Sequence, residues 1–298
     1  MLKQIQSGSY SSGNQPSEDV CGYVADNKSV HAWVIDGATG ISPSLMLAPD
    51  HSDAEWYALR INWHLHRAIV CHGGSHDSDM LLASAIDAAN ADFRALINDR
   101  EADAHLLPSA SVILAKVQRQ SGGYLVGFAK LGDCCGVLRT GPGQAHIVES
   151  TLGPSFDLEF DALAARLAQT DGDSERRSAI LAEISRRLLV RRKTMNQPGG
   201  YAIAAPNWDS STLGFESFHS IEPPSLMLLS DGAARLVEKY RACTYEEALD
   251  EVFRIGGVGL IRKIREIERH DRTCQSWPRL KTSDDATIVA LQVGAHVR

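Results

Sequence analysis

Five acidic segments share one placement in the sequence: each lies where a short apolar run begins or ends. Three of them end such a run and continue into a glycine or a turn: Trp33-Val34-Ile35-Asp36-Gly37, Leu131-Gly132-Asp133 and Leu228-Leu229-Ser230-Asp231-Gly232. The other two directly precede such a run: Glu18-Asp19 and Ser283-Asp284-Asp285. Carboxylates at the ends of buried strands are held by the sheet yet reach solvent at its edge. An adjacent glycine lets backbone carbonyl groups approach a ligand closely.

Gathered carboxylates of this kind indicate a divalent metal site. Several of them in one place repel one another, and a divalent cation is the ordinary relief. Oxygen ligands with few imidazoles or thiolates favour Mg²⁺ or Mn²⁺ over Zn²⁺. Two such ions a few Å apart lower the pKa of a bridging water and clamp a phosphoryl group. The alternative is that each aspartate only forms a turn, because Asp before Gly is common after a strand. The sequence leaves open whether the five segments converge.

The elements that must position these residues alternate between strands and helix pairs. Apolar runs predict strands, the first two joined as a hairpin, over Val20–Ala25, Val30–Ile35, Ala110–Val117, Tyr124–Ala129, Gly136–Arg139, Leu226–Leu229 and Thr287–Val293. Helical periodicity predicts helices over Asp53–Cys71, Asp79–Arg100, Leu158–Gln169, Ser174–Arg192 and Tyr245–Glu268. This order favours an α+β fold in which helices cover antiparallel sheets. No segment resembles a linker, so we expect a single domain over residues 1–298.

Composition narrows the class of protein further. The 298 residues are 44% hydrophobic and 22% charged, which suffices for a sizeable core, and the net charge of −7 argues against nucleic-acid binding. No apolar run is long enough to span a membrane, and the polar segment Met1–Tyr10 lacks the apolar region of a secretory signal. The six scattered cysteines indicate a reducing compartment, so we expect a cytoplasmic protein. Cys134-Cys135 are interpreted as buried strand cysteines, with a redox switch beside Asp133 as the alternative.

Taken in order, the acidic segments resemble the motif series of the 2C-type (PPM) metal-dependent serine/threonine protein phosphatases, in their bacterial style. The matching segments are Ser17-Glu18-Asp19 for N-E-D, Asp36-Gly37-Ala38-Thr39-Gly40 for D-G-x-x-G, Ser109-Ala110-Ser111-Val112 for a small strand start, Gly132-Asp133-Cys134 for G-D-S, Ser230-Asp231-Gly232 for S-D-G and Ser283-Asp284-Asp285-Ala286-Thr287 for D-N-x-T. Each motif is weak, but the series covers nearly the whole chain, and its order and spacing together are fairly specific.

This resemblance implies a four-layer α-β-β-α sandwich, with two mainly antiparallel sheets flanked by helix pairs and metal ions at one edge. It implies two Mn²⁺ or Mg²⁺ ions and a weaker third. The implied ligand sets are Asp36, Asp231 and Asp284 for the first ion, Glu18, Asp36 and the Gly37 carbonyl for the second, and Asp133 with Asp231 for the third. Asp36 and Asp231 would be catalytic, since a hydroxide that bridges the metals would attack the phosphorus in line. The implied substrate is phosphoserine or phosphothreonine of a protein, opposite a kinase, and the chain would act as a monomer.

Two positions depart from the family pattern. Asn14 stands where the family often has an arginine that binds the substrate phosphate, and Ala38 stands where some members have a histidine. Loss of an arginine–phosphate contact removes about 1.5–3 kcal/mol, which would raise the Michaelis constant. Two alternatives therefore stay open. One is a regulatory pseudophosphatase that binds a phosphoprotein or partner with little turnover, and the other is an enzyme for a small phosphate ester.

Overall fold

A computed structural model of the chain describes residues 1–294 except 14–15, 39–44, 46, 49, 99, 101, 153–154 and 171–172. Asn14, the predicted substrate-binding position, lies outside the described residues. No helix among the described residues is long and apolar enough to cross a membrane.

The strands form two five-stranded antiparallel sheets. The first sheet has the order β1 (Leu2–Tyr10), β10 (Ala286–Val293), β9 (Ser225–Leu229), β6 (Cys135–Gly141) and β7 (Gln144–Val148). The second sheet has the order β2 (Val20–Ala25), β3 (Ser29–Gly37), β4 (Ala110–Gln120), β5 (Gly123–Leu131) and β8 (Gly214–Ser220). Every neighbouring pair within a sheet is antiparallel.

Successive side chains of each strand point to opposite faces of its sheet, so each sheet packs against helices on one face and against the other sheet on the other. In β3, Trp33 and Ile35 face the helices α1 (Asp53–His72) and α2 (Ser78–Leu96), whereas Val34 faces the core between the sheets. The helices α5 (Asp231–Glu238) and α6 (Tyr245–His270) cover the outer face of the first sheet. The predicted four-layer α-β-β-α sandwich is therefore confirmed. Two more helices, α3 (Ser155–Ala168) and α4 (Ser174–Lys193), pack against each other.

Five elements differ from the sequence expectation. The strands β1, β7 and β8 were not predicted, and all three lie at sheet edges, where the side chains are largely polar or half-exposed. An edge strand is held by the backbone bonds of its neighbour, so its own side chains carry little apolar signal. The helix α5 was also missed, because Asp231 was interpreted as the start of a turn. The helix α2 ends at Leu96, and not at Arg100 as predicted.

Candidate metal centre

Asp36 lies near the end of β3, opposite Ser111 of β4 in the sheet register. Its side chain is on the face of β3 that points to the space between the two sheets. The next residue, Gly37, lies against two other segments: a Cβ there would be 2.8 Å from the Glu18 carbonyl oxygen and 3.2 Å from that of Ala54. Glycine thus lets the end of β3 contact both the loop before β2 and the start of α1.

Asp133 and Cys134 lie in the tight connection between β5 and β6. Gly132 has a φ of +99°, and a Cβ there would lie 2.6 Å from Ser111 Oγ, so the turn requires glycine. Ser111 Oγ accepts a hydrogen bond of 2.7 Å from the backbone N–H of Cys134 and fixes the turn against β4. One ligand atom each of Asp36, Asp133 and Cys134 lies within 4.8 Å of the other two. We call these three residues the cysteine side of the site.

Asp231 is the first residue of α5, directly after β9. A carboxylate in this position is favoured by the free N–H groups of the first helical turn. Gly232 makes the position possible, because a Cβ there would lie 1.9 Å from the backbone oxygen of Asp285. The close contact brings Asp231 beside Asp284, which precedes β10.

Two cations of the chain bind Asp284. Arg235, one turn after Asp231, places Nη2 at 2.6 Å from Asp284 Oδ2 and 3.7 Å from Asp231 Oδ2. Lys281 places Nζ at 2.9 Å from Asp284 Oδ1. Burial alone would raise the pKa of Asp284, but the charges of Arg235 and Lys281 hold it below its ordinary value. We call Asp231, Asp284, Arg235 and Lys281 the arginine side of the site.

Glu18 and Asp19 differ in their surroundings although they are adjacent. The half-buried Glu18 accepts a hydrogen bond from the Ser52 hydroxyl, and its backbone N–H donates to Asp285 Oδ2 at 2.8 Å. Asp19 is only 6% exposed, and neither of its carboxylate oxygens has a hydrogen-bond partner. Two unpaired buried oxygens carry a desolvation cost that a proton or a cation would relieve.

The pKa values show where that cost is largest. Burial raises the pKa of Asp19 to about 7, and the charges of Asp231 and Asp285 add to the rise. The hydroxyl groups of Ser230 and Thr287 offset part of it, although they do not reach hydrogen-bond geometry with Asp19. Burial also raises the pKa of Asp36 well above its usual range, and among the nearby carboxylates Asp19 contributes most.

The residues present fit a divalent cation. Asp36 feels the charges of Asp19, Asp231, Asp133 and Asp284 together, so four carboxylates converge on a fifth at one edge of the sandwich. The unpaired oxygens of Asp19 show that protein groups do not fully satisfy this convergence. A hard, oxygen-liganded ion such as Mn²⁺ or Mg²⁺ suits the carboxylates.

Most of the residues predicted from the sequence meet at this edge. They are Glu18, Asp36, Gly37, Asp133, Asp231 and Asp284. Sequence reasoning did not assign a role to Asp19, Arg235 or Lys281, and it interpreted Cys134 only as a buried strand cysteine, with a redox switch as the alternative. Its one available signal for Arg235 was the spacing of four residues from Asp231, which places both on one helix face only if the segment is helical.

The segment after Asp36 is held by a residue from α4. Ala38 donates its backbone N–H to the Ser109 carbonyl at 3.0 Å. Arg192, only 8% exposed, donates from Nη1 to Ser109 Oγ at 2.9 Å and from Nη2 to the Leu107 carbonyl at 2.7 Å. A run of basic residues at a helix end is usually solvated, but Arg192 in the basic end of α4 is buried. The guanidinium instead anchors the start of β4 next to the site.

Comparison with known proteins gives matches in structure only. No protein-family model matches the sequence, and no curated protein matches it. The Mycobacterium tuberculosis serine/threonine phosphatase PstP/Ppp is similar in structure, with 14% identity, a TM-score of 0.56, and coverage of 99% of this chain and 100% of that chain. The S. agalactiae serine/threonine phosphatase matches with 12% identity and a TM-score of 0.53, over 98% of this chain and 99% of that one.

A second structure of PstP, its catalytic domain in complex with 2 manganese ions, matches with 14% identity and a TM-score of 0.51 over 98% of each chain. The chain therefore has the fold of the PPM-type serine/threonine phosphatases.

Proposed function

We propose that this chain is a metal-dependent phosphatase that hydrolyses phosphoserine or phosphothreonine in proteins. The observation that carries the proposal is the convergence of Asp133, Asp231 and Asp284 on Asp36 at one edge of a PPM-type sandwich. Fold alone does not establish chemistry, since one fold supports many functions. The site adds the donor set that phosphoryl transfer needs, and a similar fold is known with two manganese ions bound.

The residues that would hold Mn²⁺ or Mg²⁺ are Glu18, Asp36, the Gly37 carbonyl, Asp133, Asp231 and Asp284. When bound, such ions neutralise charge on the transferred phosphoryl group and lower the pKa of a coordinated water. The protein's own part is positioning. Gly37 and Gly232 allow backbone contacts that bring Glu18 to Asp36 and Asp231 to Asp284. Ser111 holds the turn that presents Asp133.

The partner we propose is a phosphoprotein modified by a serine/threonine kinase, with the chain acting as a cytoplasmic monomer. Asn14 is the proposed contact to the substrate phosphate, as a neutral replacement for an arginine. Because an amide lacks the charge of a guanidinium, binding of the phosphate would depend more on the metal ions.

A second candidate function is a pseudophosphatase that binds a phosphoprotein or partner and turns it over poorly. The arginine side favours it. Asp284 already has Arg235 at 2.6 Å and Lys281 at 2.9 Å, so cations of the chain occupy positions around a predicted metal ligand. In addition, Ala38 has no side-chain proton to give to a leaving group.

Hydrolysis of p-nitrophenyl phosphate by the purified chain tests the proposal, with EDTA, Mg²⁺ or Mn²⁺ in parallel assays. We expect metal-dependent turnover that falls by about 1,000-fold or more in Asp36→Asn, because Asp36 is common to the first two predicted metal sites. Asp250→Asn is the matched control, since Asp250 is an exposed aspartate of α6 that pairs with Arg139 of β6. Full activity in Asp36→Asn would refute the mechanism.

The same assay separates the other candidates. No turnover with any metal would favour the pseudophosphatase. If turnover occurs, rates for phosphoserine and phosphothreonine peptides, compared with those for small phosphate esters, decide the substrate class. A clear preference for small esters would refute the phosphoprotein part of the proposal.

A further inference from the structure

The thiol of Cys134 faces the carboxylates of the site. Its Sγ and one oxygen each of Asp36 and Asp133 all lie within 4.8 Å of one another. Cys134 is 1% exposed and belongs to the core between the sheets. Cys135, the next residue, belongs to the core under α5 and α6, where its Sγ lies 3.5 Å from the hydroxyl of Tyr245. The two cysteines therefore face opposite sides of the first sheet.

The backbone fixes this orientation. Gly132 adopts a φ of +99° against Ser111, and the N–H of Cys134 donates to Ser111 Oγ at 2.7 Å. The connection between Leu131 and Cys135 has little freedom, because both ends lie in paired strands. The Cys134 thiol is consequently held beside Asp36 and Asp133.

Asp19 provides independent evidence that a ligand belongs here. It is 94% buried, since its exposed fraction is 6%, and neither carboxylate oxygen has a hydrogen-bond partner. Its charge acts on Asp36 more strongly than that of any other nearby carboxylate, and it also acts on Cys134. A buried carboxylate without a hydrogen-bond partner that acts on both Asp36 and Cys134 favours a positive charge at this place.

We propose that Asp36, Asp133 and the thiolate of Cys134 bind one borderline-soft divalent cation of the Zn²⁺ class. Carboxylates alone prefer Mg²⁺ or Mn²⁺, but a thiolate ligand shifts the preference of a site toward softer ions. As the bond between sulfur and the metal forms, the thiol proton is released to solvent, so binding liberates one proton per thiolate. This inference rests on the proposed function and deepens it, by assigning a different class of ion to the cysteine side than to the carboxylates alone.

Titration of the metal-stripped chain with Co²⁺ tests the proposal through a spectrum and not through turnover. Co²⁺ replaces Zn²⁺ in such sites, and a thiolate bound to it gives a charge-transfer band in the near ultraviolet. All variants carry Cys71→Ser, because Cys71 is an exposed cysteine that can bind Co²⁺ by itself. We expect the band in this background, its displacement by Zn²⁺, and no displacement by an equal concentration of Mg²⁺.

Cys134→Ser is the decisive variant, and Cys135→Ser is its matched control. Cys134→Ser should abolish the band and weaken Zn²⁺ binding by at least about 100-fold, the upper end of the cost of losing an outer-shell partner. Cys135→Ser should retain the band. A band that persists in Cys134→Ser, or no band in the Cys71→Ser background, would overturn the proposal.

The two proposals fail separately. Phosphatase turnover without a thiolate band refutes the thiolate site and leaves the proposed function standing. A thiolate band without turnover refutes the proposed function and leaves the thiolate site standing.

Discussion

On the arginine side of the site, a guanidinium and an ammonium group already neutralise the carboxylates. On the cysteine side, a thiol lies within 4.8 Å of two carboxylates, and burial raises the pKa of Asp36 well above its usual range. Both sides gather negative charge at the same sheet edge, but only the arginine side has cationic side chains of the chain, Arg235 and Lys281, that neutralise it. The difference indicates that the arginine side keeps its shape without a metal, whereas the cysteine side needs a proton or an ion.

Arg235→Gln should have the largest effect on the free energy of unfolding. The substitution leaves Asp231 and Asp284 without their shared cation, and loss of one partner from a largely buried ion pair costs about 3 kcal/mol. We expect the free energy of unfolding in EDTA to fall by that amount in urea titrations. Mn²⁺ affinity by calorimetry should rise by about tenfold, a gain of about 1.4 kcal/mol, because the ion no longer displaces a guanidinium.

Arg254→Gln is the control for that variant. Arg254 is 67% exposed and pairs with Glu251 of the same helix, so its removal should cost less than about 1 kcal/mol. Mn²⁺ affinity should not change in the control. If Arg235→Gln behaved like the control, the arginine side would not be neutralised by Arg235.

The pH dependence of stability should show how much a buried carboxylate without a cationic partner destabilises the folded chain. The pKa of Asp19 is about 7 in the folded chain against an ordinary 3.8, so the folded state binds more protons than the unfolded state between these values. The free energy of unfolding in EDTA should therefore fall as the pH rises through this window. Urea titrations from about pH 5 to about pH 8 measure the slope.

Asp19→Asn supplies the internal test of that slope. An amide does not titrate, so the variant should lose less stability than the wild type over the same pH range. Equal slopes for the two proteins would show that Asp19 is not the group responsible.

Lys281→Gln should have the smallest effect. Lys281 is 66% exposed, so solvent screens its pairing with Asp284, and the expected loss in the free energy of unfolding is below about 1 kcal/mol. Added salt should reduce the difference from the wild type further. A loss as large as that of Arg235→Gln would mean that the two cations contribute equally to the arginine side.

The sequence predicted the positions of the acidic residues well because the strands that carry them are internal. Strands such as β3 and β9 are buried along their length, so a continuous apolar run marks where each one ends. The aspartate that follows is then placed at the sheet edge. The edge strands β1, β7 and β8 have no such run, and only pairing with a neighbour defines them.

The sequence alone could not place the two arginines and the thiol at the site, because their contacts depend on other elements of the fold. Arg235 could be placed beside Asp231 only by recognising α5, which the expected turn at Asp231 concealed. Arg192 lies in a run of basic residues, a pattern that is usual on a solvated helix face, and only a tertiary contact buries it. Cys134 was correctly interpreted as buried. Its approach to Asp36 depends on how two sheets stack, which no local pattern records.

Asp285 joins opposite ends of the chain. Its carboxylate accepts from the backbone N–H of Ser12 at 2.7 Å and of Glu18 at 2.8 Å, and among the described strands β1 pairs only with β10. During synthesis on the ribosome at about 5–20 residues per second, β1 thus waits about 14–55 s for its partner strand. Throughout that interval the loop with Glu18 and Asp19 lacks the contact that Asp285 supplies, so the predicted metal site would be completed only after the last strand has emerged.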